Sequence, residues 1–303
     1  MAEKKLTKRQ KQRIIKGVLT LVCLGILALL WFVVMPMLRG TYEVPEGVAE
    51  FHFIDVGQGD STLIMSGGKN VLVDTGDRDA KDSLTEYLDE HNVEVIEYFV
   101  ITHFDSDHFA NAVDILEDYD VVNLIIPNQV KNTKMYETFM DVAEEQSDSG
   151  EIEILLANDM VGESFEVNDI EMTVLAPLSD SYKDSNDYSV VLMARFGNKR
   201  VLLTGDAEKE AEEDIVARYK ASDLDCDVYK MGHHGSRTSS SQDLLDKTTP
   251  DYVVISCGEG NSYGHPHAEA MERVEELVKY RTDTQGTIVL SIENDELSFT
   301  TEK

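Results

Sequence analysis

Thr102-His103-Phe104-Asp105-Ser106-Asp107-His108 packs two imidazoles and two carboxylates into one short stretch. The run before it, Tyr98-Phe99-Val100-Ile101, is aromatic and β-branched and reads as a buried strand, and a helical pattern follows over 109–118. A strand that ends in such a loop delivers its side chains to one edge of a sheet. Imidazole and carboxylate are the donors that hydrolytic metals take. The plain alternative for this stretch alone is a solvated acidic turn with incidental histidines.

Two further strands end the same way. Leu202-Leu203-Thr204-Gly205-Asp206 finishes on a carboxylate, and Val228-Tyr229-Lys230-Met231-Gly232-His233-His234-Gly235-Ser236 on two histidines. Each is weak by itself, since a histidine after a strand is more often a hydrogen-bonded loop residue. Three such strand ends argue for one site. Around them, short Val/Ile/Leu-rich runs bounded by Gly, Asn or Asp predict strands at 48–55, 61–66, 70–73, 95–101, 121–126, 152–156, 170–175, 190–196, 200–204, 226–230, 252–256, 286–290 and 296–300. Helices are predicted at 80–91, 109–118, 134–147, 207–220, 241–247 and 267–280. In the last of these Met271, Val274, Leu277 and Val278 form a core stripe. The acidic segment 207–214 reads as a solvated face. Early strands are joined by hairpin-length turns and later ones by helices. That predicts an α/β domain of two mixed sheets covered by helices, over 48–303, with no internal repeat in the sequence.

Charge divides the chain. The formal net charge is −31, yet residues 1–39 hold eight Lys/Arg and one acid, leaving the other 264 residues with a net of −38. The basic tail, 1–16, precedes an uncharged run from Gly17 to Leu38. At about 1.5 Å per residue this run is roughly 33 Å long, enough for a hydrocarbon core of about 30 Å. A cleaved signal peptide would carry a shorter apolar core and a small-residue cleavage site, and Leu38-Arg39-Gly40-Thr41 is a poor one. The expectation is therefore a transmembrane anchor over 17–38 and a linker over 39–47. The tail stays cytoplasmic and the domain extracytoplasmic, making this a single-pass protein of the cell membrane. Of the three cysteines, Cys23 lies in the anchor, and Cys226 and Cys257 fall at opposite ends of neighbouring strands, so no disulfide is expected. The absence of any Cys-x-x-Cys pair rules out a thiolate zinc site.

The chain resembles the metallo-β-lactamase superfamily, and more closely the metallohydrolase domain of ComEC-type DNA-uptake competence proteins. The resemblance covers about residues 50–300. It rests on Phe53-Ile54-Asp55-Val56-Gly57-Gln58-Gly59-Asp60, Val73-Asp74-Thr75-Gly76, the His103–His108 loop, Asn186-x-x-Ser189, Thr204-Gly205-Asp206, Gly232-His233-His234-Gly235-Ser236, Tyr263-Gly264-His265-Pro266 and Arg281-Thr282-Asp283. It implies an αβ/βα sandwich, here preceded by a single transmembrane helix, with two divalent cations at one edge of the sheets. His103 and Asp105 would serve the first cation. Asp107, His108 and His233 would serve the second, Asp206 would bridge both, and Asp74 would hold the ligand loop from behind. Asp105 and Asn186 stand where many members carry histidine. Both changes put oxygen in place of nitrogen, which favours Mn²⁺ over Zn²⁺.

The reaction so implied is metal-assisted hydrolysis of a phosphodiester, with Asp105 and Asp107 acting at the reacting centre. His234 and His265 are candidates for phosphate contact or leaving-group protonation. Ser189 and Ser236 are candidate hydrogen-bond donors, with turn capping as the plain alternative. Asp60, in a glycine-rich turn, is expected to approach the site. Arg281 is a candidate anion contact, against the default of a surface ion pair. Single-stranded DNA is the substrate that the resemblance suggests. The acidity opposes it, because affinity for nucleic acid comes largely from basic groups meeting phosphates. Only Arg195, Lys199, Arg200, Lys230 and Arg237 offer a local basic patch. One anchor helix cannot line a DNA channel, so DNA uptake would need a channel or competence-machinery partner. A small or cell-wall phosphodiester is the alternative substrate, and a non-catalytic binding domain that keeps the fold is the alternative class.

Overall fold

The computed structural model describes residues 8–30 and 42–303. The chain divides into two units, Met1–Tyr42 and Glu43–Lys303. In the first, one α-helix runs over Lys8–Leu29, through a Leu- and Lys-rich stretch that favours helix. Apolar side chains described on it are exposed, Leu21 at 70% and Leu29 at 61%. No helix among the described residues is long and apolar enough to cross a membrane. The anchor expected over 17–38 runs into residues 31–38, which lie outside the described ones.

The second unit is built as two halves. The first half supplies β1 (Val48–Phe53), β2 (Thr62–Ser66), β3 (Lys69–Val73), β4 (Val95–Val100), β5 (Asp120–Ile126) and β6 (Glu153–Leu156). The second supplies β7 (Ser164–Val167), β8 (Ile170–Ala176), β9 (Val191–Phe196), β10 (Lys199–Leu203), β11 (Val228–Lys230), β12 (Tyr252–Ile255) and β13 (Val278–Arg281). The chain then returns to the first sheet with β14 (Ile288–Glu293) and β15 (Glu296–Thr301). The sheet orders are β15-β14-β1-β2-β3-β4-β5-β6 and β13-β12-β11-β10-β9-β8-β7. In each half an antiparallel meander, β1-β2-β3 or β8-β9-β10, leads into three parallel strands joined by helices. The sequence hides this repeat because it lies in strand direction and connection, not in residue identity.

Alternation along the strands sorts the side chains into layers. Phe51, Phe53, Ile64, Val71, Leu192, Ala194, Val201, Leu203, Leu290 and Ile292 meet in the core between the sheets. Their neighbours Met193, Leu202, Tyr229, Val253 and Ile255 face the other way, into a second core with Ala211, Ile215 and Leu244 from helices Lys209–Arg218 and Gln242–Thr248. The αβ/βα sandwich expected from the resemblance is thus present. Cys226 and Cys257 are free thiols.

Three sequence expectations need correction. The helix predicted over 267–280 stops at Arg273, and Val278–Arg281 forms an edge strand with Val278 51% exposed. The stop has a local cause: the Lys279 ammonium gathers the carbonyls of Val274, Glu275 and Leu277. Strand β7, absent from the sequence prediction, is only four residues long and turns into β8 at Asn168 (φ 50°). The acidic segment 207–214 is not uniformly solvated, because Glu212 is buried and accepts the backbone N–H groups of Ser240 and Ser241 at 2.5 and 2.8 Å.

Candidate metal centre

Strand direction decides which residues share an edge. Residues that follow β3, β4, β10, β11 and β12 leave one edge of the sandwich. Residues that precede the oppositely running β2 and β9 arrive at that same edge. This one rule gathers Asp60, Asp74, 103–108, Asn186, Ser189, Asp206, 233–234 and His265. The two sheets are laced there by Val190 N–H donating to Thr102 O at 2.9 Å. Asp60 N–H donates to Asp107 O at 3.1 Å. That approach requires Gly59, where a Cβ would sit 2.5 Å from Asp107 O.

Asp60, His108, Asp206 and His234 form a buried group whose ligand atoms lie within 4.8 Å of one another. His108 Nε2 is 3.2 Å from Asp206 Oδ1. His234 Nε2 is 3.5 Å from Asp206 Oδ2 and 3.2 Å from Asp107 Oδ2. His103 is fully buried beside them, its ring 4.2 Å from that of His108 and its Nε2 4.0 Å from Asp105 Oδ2. Two of these imidazoles are aimed from behind. Asp74 accepts His108 Nδ1–H at 2.7 Å and also holds Thr102 N–H and Oγ–H at 2.8 and 2.7 Å. The Ser256 carbonyl accepts His234 Nδ1–H at 3.0 Å. Such partners fix the tautomer and leave Nε2 as the free donor atom.

A cation fits this cradle. Nine buried side-chain polar atoms among the described residues lack a hydrogen-bond partner, and five are here: His103 Nε2, His108 Nε2, His234 Nε2, Asp206 Oδ1 and Asp60 Oδ1. Unpaired buried polar groups are costly, and converging ones mark a common ligand. The electrostatics agree. Burial opposes a charge on His108, yet Asp206 and Asp74 outweigh it and raise the imidazole well above its ordinary value. Burial, and then His108, lowers His103 to about 3. Burial works against the Asp107 carboxylate, but its hydrogen bond to His234 holds it well below the usual range.

The other expected residues sort by what they touch. His233 was the expected ligand of the adjacent pair, but His234 points into the cradle. His233 lies beside it at the more open side, its Nδ1 2.8 Å from Glu208 Oε1, its Nε2 3.7 Å from Asp206 Oδ2 and its side chain 23% exposed. Burial disfavours its charge, but Glu208 and Asp206 together outweigh burial and raise it above its ordinary value. Asn186 is buried beside this pair, 3.4 Å from both Glu208 and His233 Nδ1. The Ser189 hydroxyl accepts Asp206 N–H at 3.0 Å. Ser236 is paired with Thr238 Oγ1 at 2.8 Å, the turn-capping alternative. His265 lies on the rim, its ring 5.4 Å from that of His233 and 6.0 Å from that of His234. Burial and then those two imidazoles lower it to about 4, so it is uncharged at neutral pH rather than a standing acid. Arg281 is engaged with Asp283 at 2.6 and 3.0 Å, the surface ion pair that was its default.

Sequence reasoning missed Lys131, Glu208 and Thr102. Lys131 Nζ lies 2.6 Å from Asp105 Oδ1 and also holds Ser185 Oγ. Nothing in a lysine within a loop at 127–133 advertises this. The Glu208 and Thr102 roles follow from adjacency to Asp206 and His103 and were within reach. The five residues expected as a basic patch form none. Lys230 is buried against Asp60, Arg195 meets Glu171, Lys199 meets Asp227, Arg200 caps the Ser222 and Asp223 carbonyls, and Arg237 meets Glu269.

A two-halved αβ/βα sandwich with a buried His/Asp cradle at one edge defines a class of metal-dependent hydrolases. The metallo-β-lactamase superfamily signature matches residues 54–259, and the chain belongs to that superfamily. It is 34% identical over 241 residues to Recombination protein 2 of Haemophilus influenzae, covering 78% of this chain and 27% of that protein. It is 27% identical over 273 residues to ComE operon protein 3 of Bacillus subtilis, covering 84% and 34%. The chain therefore spans about a third or less of the length of these relatives. Among solved structures it is similar to Igni18, a metallo hydrolase of Ignicoccus hospitalis, at 15% identity and a TM-score of 0.50, covering 84% of this chain and all of that one. That likeness is one of fold.

Proposed function

We propose that this chain is a membrane-anchored, extracytoplasmic phosphodiesterase that binds two divalent cations, Mn²⁺ in preference to Zn²⁺, and cleaves a single strand of DNA during uptake through a partner's channel. The cradle carries the reading: the carboxylates Asp60, Asp105, Asp107 and Asp206 make its donor set rich in oxygen, which hard cations prefer. The names of the relatives, one from recombination and one from the ComE operon, support the DNA substrate. The exposed apolar helix behind a basic tail supports the anchor and its orientation.

Divalent cations in such a cradle supply Lewis-acid polarisation of a phosphoryl oxygen and acidification of water. The chain's own residues do the rest. Asp74 and the Ser256 carbonyl fix the rings of His108 and His234. His233, hydrogen-bonded to Glu208 and partly open to solvent, is placed to give a proton to the departing oxygen. His265, uncharged at the rim, accepts a hydrogen bond rather than supplying an acid.

A second reading, a small or cell-wall phosphodiester, is favoured by one observation: every candidate for a basic patch is engaged with an acid or a carbonyl. One panel separates the two. The full chain in detergent, loaded with Mn²⁺ or Zn²⁺, is offered single- and double-stranded DNA, a small phosphodiester and a β-lactam, and its metal content is measured. We expect Mn²⁺-dependent cleavage of single-stranded DNA. Cleavage of small diesters without DNA would move the assignment to the second reading, and opening of the β-lactam alone would end both. Protease added outside intact cells should digest the domain beyond Tyr42; full protection there would overturn the topology.

A further inference from the structure

Tyr263 is the only exposed aromatic side chain among the described residues, at 64%, and it stands on the rim of the metal centre. Its ring is stacked on that of His265 at 5.7 Å and 18°. The His265 ring in turn is 6.0 Å from that of His234. Aromatic surface left in water is unfavourable, and in this fold every other described Tyr and Phe is at least half packed away. The loop that presents Tyr263 is braced rather than loose. Asn261 Nδ2 donates to Gly258 O at 2.9 Å and to His265 O at 2.7 Å, and Asn261 Oδ1 accepts His265 N–H at 3.0 Å. The base of the loop is pressed against the glycine-rich turn, where a Cβ on Gly258 would sit 2.6 Å from Gln58 N.

We propose that Tyr263 and His265 form a stacking shelf for one nucleobase flanking the scissile phosphodiester. The ring contacts leading from Tyr263 through His265 to His234 place the shelf beside the metal centre. Stacking also accounts for recognition without a basic track, since a planar base binds through its face and brings no requirement for cationic neighbours. The shelf rests on the phosphodiesterase reading for its catalytic meaning but not for its binding. Tyr263 is thus a specificity residue, placed against the base rather than the reacting atoms.

Equilibrium dialysis with the full chain in detergent and Mn²⁺ tests the shelf directly, comparing thymidine 5′-monophosphate with 2-deoxyribose 5-phosphate. One base–aromatic stack is worth roughly a 10-fold preference for the nucleotide. Tyr263→Phe should keep that preference, and Tyr263→Ala should erase it without weakening binding of the sugar phosphate. In parallel, thymidylyl-thymidine and the matching abasic diester are offered as substrates. Tyr263→Ala should raise KM for the first alone. Equal binding of nucleotide and sugar phosphate by the wild type, or an equal loss of both in Tyr263→Ala, would overturn the shelf. Preference for the nucleotide with no cleavage of either diester would keep the shelf and end the phosphodiesterase reading. A wild type that cleaves both diesters equally well would do the opposite.

Discussion

The two halves of the domain place a carboxylate at the same topological point and use it differently. In the first half the chain leaves β3 into Asp74, crosses helix Lys81–Glu90, and returns on β4 to histidines. In the second it leaves β10 into Asp206, crosses helix Lys209–Arg218, and returns on β11 to histidines. Asp74 stands behind an imidazole and holds its far nitrogen. Asp206 stands in front, between the imidazoles of His108 and His234. The difference is set by the turn. Gly205 at φ 51° folds tightly against Thr102, where a Cβ would sit 2.9 Å away, and carries Asp206 forward into the cradle. Asp74 itself takes φ 60° and is turned back under the strand end.

The comparison can be broken by substitution. Asp206→Ala should remove cation binding and lower turnover by roughly 10⁴-fold, the scale seen when a central catalytic group is lost. Asp74→Asn, which keeps the shape but weakens the grip on His108, should cost about 10–100-fold in metal affinity, with turnover restored by excess Mn²⁺. Equal losses in the two variants, measured by metal titration and kcat, would show that front and rear carboxylates are not distinct. Lys131 sharpens the same contrast, since it ties down Asp105 of the first half. Lys131→Met should raise affinity for the cation served by His103 and Asp105 roughly 5-fold, given about 1 kcal/mol for a partly exposed pair; unchanged or weaker binding of that cation would deny the competition. The smallest effect concerns the crossing helices. The first buries Leu84 and Leu88, the second Glu212. Burial raises Glu212 from 4.5 to about 7. The folded state therefore holds this proton more tightly than the unfolded chain, and stability falls as pH rises from 4.5 through about 7. Urea titrations across that window should show a slope of up to about 1.4 kcal/mol per pH unit that flattens in Glu212→Gln.

Much of this was legible in the sequence because it was local. Ligand-type residues directly after apolar strands, as at 103–108 and 206, report the edge they will occupy. The choice between His233 and His234 was not local. Both take left-handed backbone, φ 49° and 55°, and their rings part according to Glu208 on one side and Ser256 on the other. Lys131 reaches Asp105 only after the loop beyond β5 folds across. The strand at 278–281 was masked by helical spacing in Val274 and Leu277, a pattern that a lysine gathering loose carbonyls interrupts. Expected basic residues at 195–237 were legible as charges but not as charges already spent on acids.

The return of β14 and β15 to the first sheet has a consequence for how the domain is made. β1 lies between β2 and β14, with Val48 opposite Glu293 and Phe53 opposite Ile288. The strand that opens the domain thus waits for residues 288–293 before its second edge is covered. Pairings so distant in sequence are slow to form and leave an open edge while synthesis continues. Until residues 288–293 have emerged, the first sheet is an unfinished surface. During that interval the nascent chain offers β1 to any extended segment nearby.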